Sequence, residues 1–180
     1  MLIIDENLRS LVEEKGICSN PSLIDTFSLQ VRLSNDYYVL KKDTDKVIKY
    51  GFDSDSLYDL YEFKESDTGS IILEPGQQIL ACSHDSYKMP SNIFGLLQTK
   101  GSLARLFVQI TCTDGQVEPG FEGKITLEIV NLSTFKVEIP FFSKVGQLYL
   151  FNCSMHTTKL YDGRYNNATS PTIPIFNGIE

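Results

Sequence analysis

Apolar residues recur at two different periods along this chain. Near the start, Leu8, Leu11 and Val12 share one face of a short helix, with Asp5 placed to cap it and Gly16 to stop it. Beyond "NPS" the period becomes two. In "FSLQVRLS", Phe27, Leu29, Val31 and Leu33 fall on one side, and "DYYVLKK" and "DKVIKYGF" read as further short strands. Residues 52–70, "FDSDSLYDLYEFKESDTGS", are acidic and tyrosine-rich and read as a long connection outside the core. A second strand series follows in "SIILEPGQQILACSHDSYKMP", "IFGLLQTKG", "LFVQITCTDG", "GKITLEIVN", "FKVEIP" and "VGQLYLFNC". Pro-Gly, Asp-Gly and Pro-Gly pairs punctuate it at 75–76, 114–115 and 119–120. Short strands with frequent turns predict an all-β barrel or double-sheet fold carrying one short N-terminal helix. The tail from residue 161 is rich in Gly, Asn, Thr and Pro and has the composition of a flexible end.

Composition narrows this picture. A length of 180 residues with 42% hydrophobic positions suits a single domain over 1–180. No apolar run reaches the length of a membrane span. The start, "MLIIDENLRS", places acidic residues directly after four apolar ones, unlike a secretory or transit peptide, so the expected location is cytoplasmic. The net charge of −7, with Lys and Arg scattered, gives no footprint for nucleic-acid binding. It still permits an anionic small molecule held by a few local cations. Cys18, Cys82, Cys112 and Cys153 are widely spaced, and only His84 and His156 could join them, so no zinc site is expected. Buried free thiols in a reducing compartment fit better.

Three segments carry candidate chemistry. In "KITLEIVN", Ile125, Leu127 and Ile129 alternate with Thr126, Glu128 and Val130. The second face is either solvated or the wall of a pocket with Glu128 as its acid–base group. "QTKGSLARL" sets a Gly and a Ser between Lys100 and Arg105 just after a strand, a turn that either holds phosphate oxygens or merely displays surface charge. "DGQVEPGFEGKITLE" puts Glu118 and Glu128 on either side of one hairpin, where two carboxylates could divide acid–base work or decorate a surface.

Taken in order, "KGSLARL", "EPGFEGKITLE" thirteen residues beyond Arg105, and "KVGQLYLF" closely resemble the dCTP deaminase branch of the deoxyuridine triphosphatase superfamily. "LEPGQQILACSHDSYKMP" upstream and "GRYNNATSPTIP" in the tail fit the same pattern. The likeness runs from about 71 to 174, and more loosely from 1 to 34. It implies a dUTPase-like distorted β-barrel (β-clip) that assembles as a homotrimer with active sites between subunits, and a tail, 161–180, that closes as a lid. It also implies zinc-independent hydrolytic deamination of dCTP to dUTP, which some members continue to dUMP. The implied ligands are dCTP and dUTP, with dTTP as a candidate inhibitor; Mg²⁺ would arrive with the triphosphate, and neither nucleic acid nor membrane is a partner.

Residue by residue, the resemblance makes Glu128 the general base beside Arg105. Lys100, Gly101 and Ser102 fall in the phosphate segment. Glu118 takes the place of an Asp that meets the deoxyribose, and Thr126 faces the pyrimidine. Gln147 contacts the phosphate chain, and Tyr161, Arg164 and Tyr165 belong to the closing tail. The chain also departs from the pattern: Gly101 replaces a serine that orients the attacking water, Gln30 replaces an Asp, Ala168 replaces a Gln, and Asp114 replaces a small residue. Asp114 is therefore a possible auxiliary group making up for Gly101, or simply the first residue of an Asp-Gly turn. The departures leave two alternatives to deamination, a dUTP diphosphatase and a catalytically eroded nucleotide-binding regulatory trimer.

Overall fold

The computed structural model describes residues 1–41, 45–51, 57–66 and 69–176. Helix α1 (Asp5–Glu13) turns Leu8, Leu11 and Val12 into the core, as the 3.6-residue period requires. Asp5 does not cap it: Ile4 holds the cap position without a side-chain bond, and the Asp5 amide donates to Thr26 O.

One long strand organises the rest. β1 runs from Leu29 to Leu40, joining the two short strands expected at "FSLQVRLS" and "DYYVLKK". Its first part pairs antiparallel with β12 (Lys144–Asn152), Leu29 opposite Leu148. Its second part is flanked by β2 (Tyr61–Glu65) and β4 (Gln78–Ser83). The register slips between Val31 and Arg32 and again between Leu33 and Tyr37, which bends the strand so that it serves both parts. Outward from this axis, β4 pairs with β10 (Thr126–Asn131) and β10 with β7 (Val108–Gln109). On the other side, β12 pairs with β6 (Ile93–Thr99) and β6 with β8 (Gln116–Val117). The result is a curled, eight-stranded sheet in the order β7-β10-β4-β1-β12-β6-β8, with β2 on β1. Two ribbons complete it: β3 (Ser70–Leu73) with β11 (Val137–Pro140), and β5 (Tyr87–Lys88) with β9 (Glu122–Gly123).

The concave side holds a single aliphatic core. Leu29, Val31, Leu33, Leu97, Ile110, Leu127, Leu148 and Leu150 are fully buried there, together with Leu8 and Ile17 from the N-terminal segment. Alternation places the strand residues there: along β1, β6, β10 and β12 they are flanked by residues on the opposite face. The mostly β, half-barrel architecture is the one expected.

Several expectations need correction. Residues 45–51 of "DKVIKYGF" are irregular rather than a strand. The 52–70 segment is not a bare excursion, because Leu57 is buried and β2 adds to the sheet through Tyr61–Glu65; residues 52–56 and 67–68 lie outside the described residues. Period-two alternation in "YEFKE" carried that strand, but the surrounding acidic residues masked it. Of the cysteines, Cys18 and Cys82 are buried, whereas Cys112 is exposed and Cys153 half-buried. Among the described residues no three His, Cys, Asp or Glu side chains converge, and no helix is long and apolar enough to cross a membrane.

Candidate active site

Glu128 lies in the middle of β10, opposite Leu80 of β4, and is half-buried between fully buried Leu127 and Ile129. One of its oxygens is held by three donors. The Thr113 amide reaches Oε2 at 2.9 Å and the Asp114 amide at 3.1 Å, and the Thr113 hydroxyl donates to the same atom. The backbone locks this turn to the strand, since the Cys112 amide donates to Glu128 O and Thr111 bridges Glu128 in parallel. Gly115 closes the turn where a side chain cannot fit: a Cβ there would sit 2.6 Å from Leu97 O. Oε1 has no hydrogen-bond partner among the described residues. Glu128 is thus a carboxylate with one oxygen anchored and the other available, the geometry of an acid–base group.

Beside it is a pocket of about 330 Å³. Leu40, Leu80, Ile129 and Val130 form its apolar wall, and Tyr61, Cys112, Thr113 and Pro174 join Glu128 around it. Tyr61 reaches the pocket from β2. Burial and then the negative charge of Glu128 push its phenol above the ordinary tyrosine value. Thr126, two residues before Glu128 and on the same face, exchanges a hydrogen bond with Thr172 Oγ1 at 2.9 Å, and its hydroxyl also accepts from the Thr172 amide.

The tail therefore lies against the body rather than free of it. Asn167 N donates to Glu122 O and Lys124 N to Ala168 O, extending β9 by one parallel bridge between Gly123 and Ala168. Gly123 permits this with φ +127° and no side chain, since a Cβ would meet the Ala168 backbone at 2.7 Å. Arg164 Nη1 donates to Ile175 O, and the Tyr165 hydroxyl accepts from the Ile175 amide. Both side chains fold the tail onto itself. Composition alone suggested a flexible end, but backbone pairing with β9 and burial of Ile173 hold residues 161–176 in place.

Glu118 faces a second cavity, of about 620 Å³, with Pro119, Thr157, Lys159 and Tyr161 around it. Burial raises the Tyr161 phenol, and the Glu118 charge adds to that. The Tyr161 amide donates to Pro119 O, and its ring lies 6.2 Å from that of Phe121.

The segment expected to hold phosphate follows β6. Its backbone is anchored by the Lys100 amide donating to Val145 O, and Gly101–Ala104 make one helical turn, α2. Ser102 and Arg105 are exposed. Arg105 Nη1 donates to Gly101 O at 3.0 Å, and among the described residues no hydrogen bond or ion pair joins it to Glu128. Lys100 Nζ donates to Gln30 Oε1, and Gln147, opposite Gln30 across β1 and β12, donates to Ser28 Oγ. Asp114 makes an Asp-Gly turn with its side chain, accepting from Gln116 N at 3.0 Å. Its contribution to Glu128 is its backbone amide.

Within one chain the structure thus brings Glu128, Thr126 and the backbone of Asp114 together, and separately Lys100, Gln30 and Gln147. Thr113 and Tyr61 were missed in the sequence. The period-two "YEFKE" could have pointed to Tyr61, whereas the main-chain donors of "TCTDG" leave no side-chain signal.

The curled, mostly β half-barrel places the chain in a class of fold, the dUTPase-like one. The profile of the dCTP deaminase-like family matches residues 2–153, and this chain belongs to that family. A "dCTP deaminase, dUMP-forming" of Corynebacterium kroppenstedtii is 31% identical over 180 residues, covering 96% of this chain and 95% of that protein. Its counterpart from Thermobifida fusca is also 31% identical, covering 96% and 91%. The crystal structure of 2'-deoxycytidine 5'-triphosphate deaminase from Agrobacterium tumefaciens superposes with a TM-score of 0.63 at 18% identity. That match covers 83% of this chain and 47% of the other, so this chain spans about half the length of that one. The likeness shows the fold.

Proposed function

We propose that this protein deaminates dCTP by hydrolysis. The observation that carries the reading is Glu128, with Oε2 fixed by three donors and Oε1, beside an aliphatic pocket, without a hydrogen-bond partner among the described residues. Water attacks C4 of the cytosine ring as Glu128 takes its proton. Glu128 returns that proton to the amino group, and ammonia leaves as the 4-oxo group forms. The balance is dCTP plus water to dUTP plus ammonia. Glu128 is the base in this reading and no zinc is called on.

Lys100, Ser102 and Arg105 supply cations and a hydroxyl, a donor set that suits phosphate oxygens and not a dication. Mg²⁺ would accordingly be carried by the triphosphate and would supply charge neutralisation there. Gln147 and Glu118 contact the phosphate chain and the deoxyribose, and the segment of Tyr161, Arg164 and Tyr165 covers the ligand. Arg105 completes the charge network around Glu128 from a neighbouring subunit of a homotrimer. What supports a shared site is that, among the described residues, no bond joins Arg105 to Glu128: Arg105 is exposed, its hydrogen bonds go to its own turn, and exposed Leu106, Phe107 and Leu132 lie next to it. The relatives' names carry the words "dUMP-forming", which favours onward cleavage to dUMP. The expected setting is the cytoplasm.

The test is chromatographic. Pure protein is incubated with dCTP and Mg²⁺, and dUTP, dUMP and ammonia are resolved over time. Glu128→Gln should bind dCTP, keep its oligomeric state by light scattering and lose deamination. Near-normal turnover in that variant would remove Glu128 from the mechanism. Conversion of dUTP but not dCTP by the wild type would instead mark a dUTP diphosphatase, and binding without turnover an eroded regulatory trimer.

A further inference from the structure

The position where the family pattern has an Asp holds Gln30, and the structure shows what that amide does. Gln30 is only 5% exposed, on the first part of β1. Its Oε1 accepts from Lys100 Nζ at 3.0 Å, and its Nε2 donates to Asp25 Oδ2 at 2.6 Å. The other Asp25 oxygen accepts from the Thr26 amide at 2.8 Å, and the Asp25 amide donates to Ser28 O, so the carboxylate is fixed by its own turn. Only one orientation of the amide works here. Its oxygen must face the ammonium and its nitrogen the carboxylate; a flip would set like partial charges against each other at both ends.

We propose that Gln30 is a positioning residue, oriented by Asp25, that holds the Lys100 ammonium while leaving two of its three N–H donors for a phosphate oxygen. This rests on the reading of Lys100 as a phosphate ligand. A carboxylate directly on Lys100 would compete with phosphate for the ammonium. The neutral amide keeps the cation in place without neutralising it, and the compensating negative charge stands one side chain further off, at Asp25. Gln30 is then a replacement with its own partner, not a loss of function.

The test reads Lys100 itself. Acylation by an amine-selective N-hydroxysuccinimide ester, followed by mass spectrometry, gives the Lys100 rate relative to exposed Lys15. Gln30→Met removes the amide at similar volume, and Asp25→Ala removes the carboxylate that orients it, leaving the backbone bond from residue 25 to Ser28 O. Each should speed Lys100 acylation by about fivefold, the loss of one hydrogen bond. Because Asp25 acts only through Gln30, the double variant should match Gln30→Met alone. A second readout is equilibrium binding of Mg-dCTP, where Gln30→Glu should weaken affinity more than Gln30→Met. Unchanged acylation in Asp25→Ala, or additive effects in the double variant, would overturn the relay. Should acylation respond as expected while Lys100→Met leaves dCTP affinity untouched, the relay stands and the assignment of Lys100 to phosphate falls.

Discussion

Thr113→Val probes how the carboxylate of Glu128 is held. The substitution keeps the shape and the backbone, so the amides of Thr113 and Asp114 still reach Oε2 at 2.9 and 3.1 Å. It removes the hydroxyl donor alone. A hydrogen bond to a charged group contributes about 1.5–3 kcal/mol. Thr113 is exposed, so water partly replaces the lost donor and the lower end applies. A loss of about 1.5 kcal/mol in positioning lowers kcat roughly tenfold. Thermal stability should stay near wild type, because an exposed hydroxyl is exchanged for a methyl group and the backbone bonds remain. Steady-state release of ammonia from dCTP is the assay, with Thr113→Ser as the control that restores the donor. If Thr113→Val turns over within about twofold of wild type, or Thr113→Ser fails equally, the hydroxyl does not position the base.

Two further outcomes follow from burial and from the tail. Desolvation, with Asp36 beside it, pushes the Cys82 thiol up to about 12 from an ordinary 9.0, and burial likewise raises Cys18 and Tyr87. The native state keeps protons that the unfolded chain releases first, so stability is intact below pH 9 and falls as pH climbs toward 12. Urea midpoints measured from pH 7 to about 10.5 should drop above 9; a flat or rising profile there contradicts the burial argument. Gly123→Val puts a side chain into the Ala168 backbone at φ +127° and should release the tail, so that trypsin cuts after Arg164 faster while the body stays folded. An unchanged cleavage rate would mean that the β9 pairing does not hold residues 161–176.

Much of this protein was legible in the order of its residues. Alternation in "KITLEIVN" and "VGQLYLF" foretold β10 and β12, because a strand with one face in the core must repeat every two residues. The helix at Leu8, Leu11 and Val12 followed from its own period; short strands and frequent turns pointed to an all-β barrel or double sheet, and the family resemblance chose the barrel. Glu128 stood out because a carboxylate on a half-buried strand needs a reason. Local pattern could not reveal that β1 is one bent strand, since the slips at Val31/Arg32 and Leu33/Tyr37 arise from pairing with different neighbours at each end. Nor could it show that β2 delivers Tyr61 to Glu128, or that the tail pairs with β9. The three donors on Glu128 include two main-chain amides, which every residue but proline possesses and which only the fold can aim. Gln30 makes the same point. By its place in the motif it looked like a lost carboxylate, and only the approach of Lys100 from a distant part of the chain, with Asp25 turned back onto it from five residues upstream, shows it as a bridge between two charges.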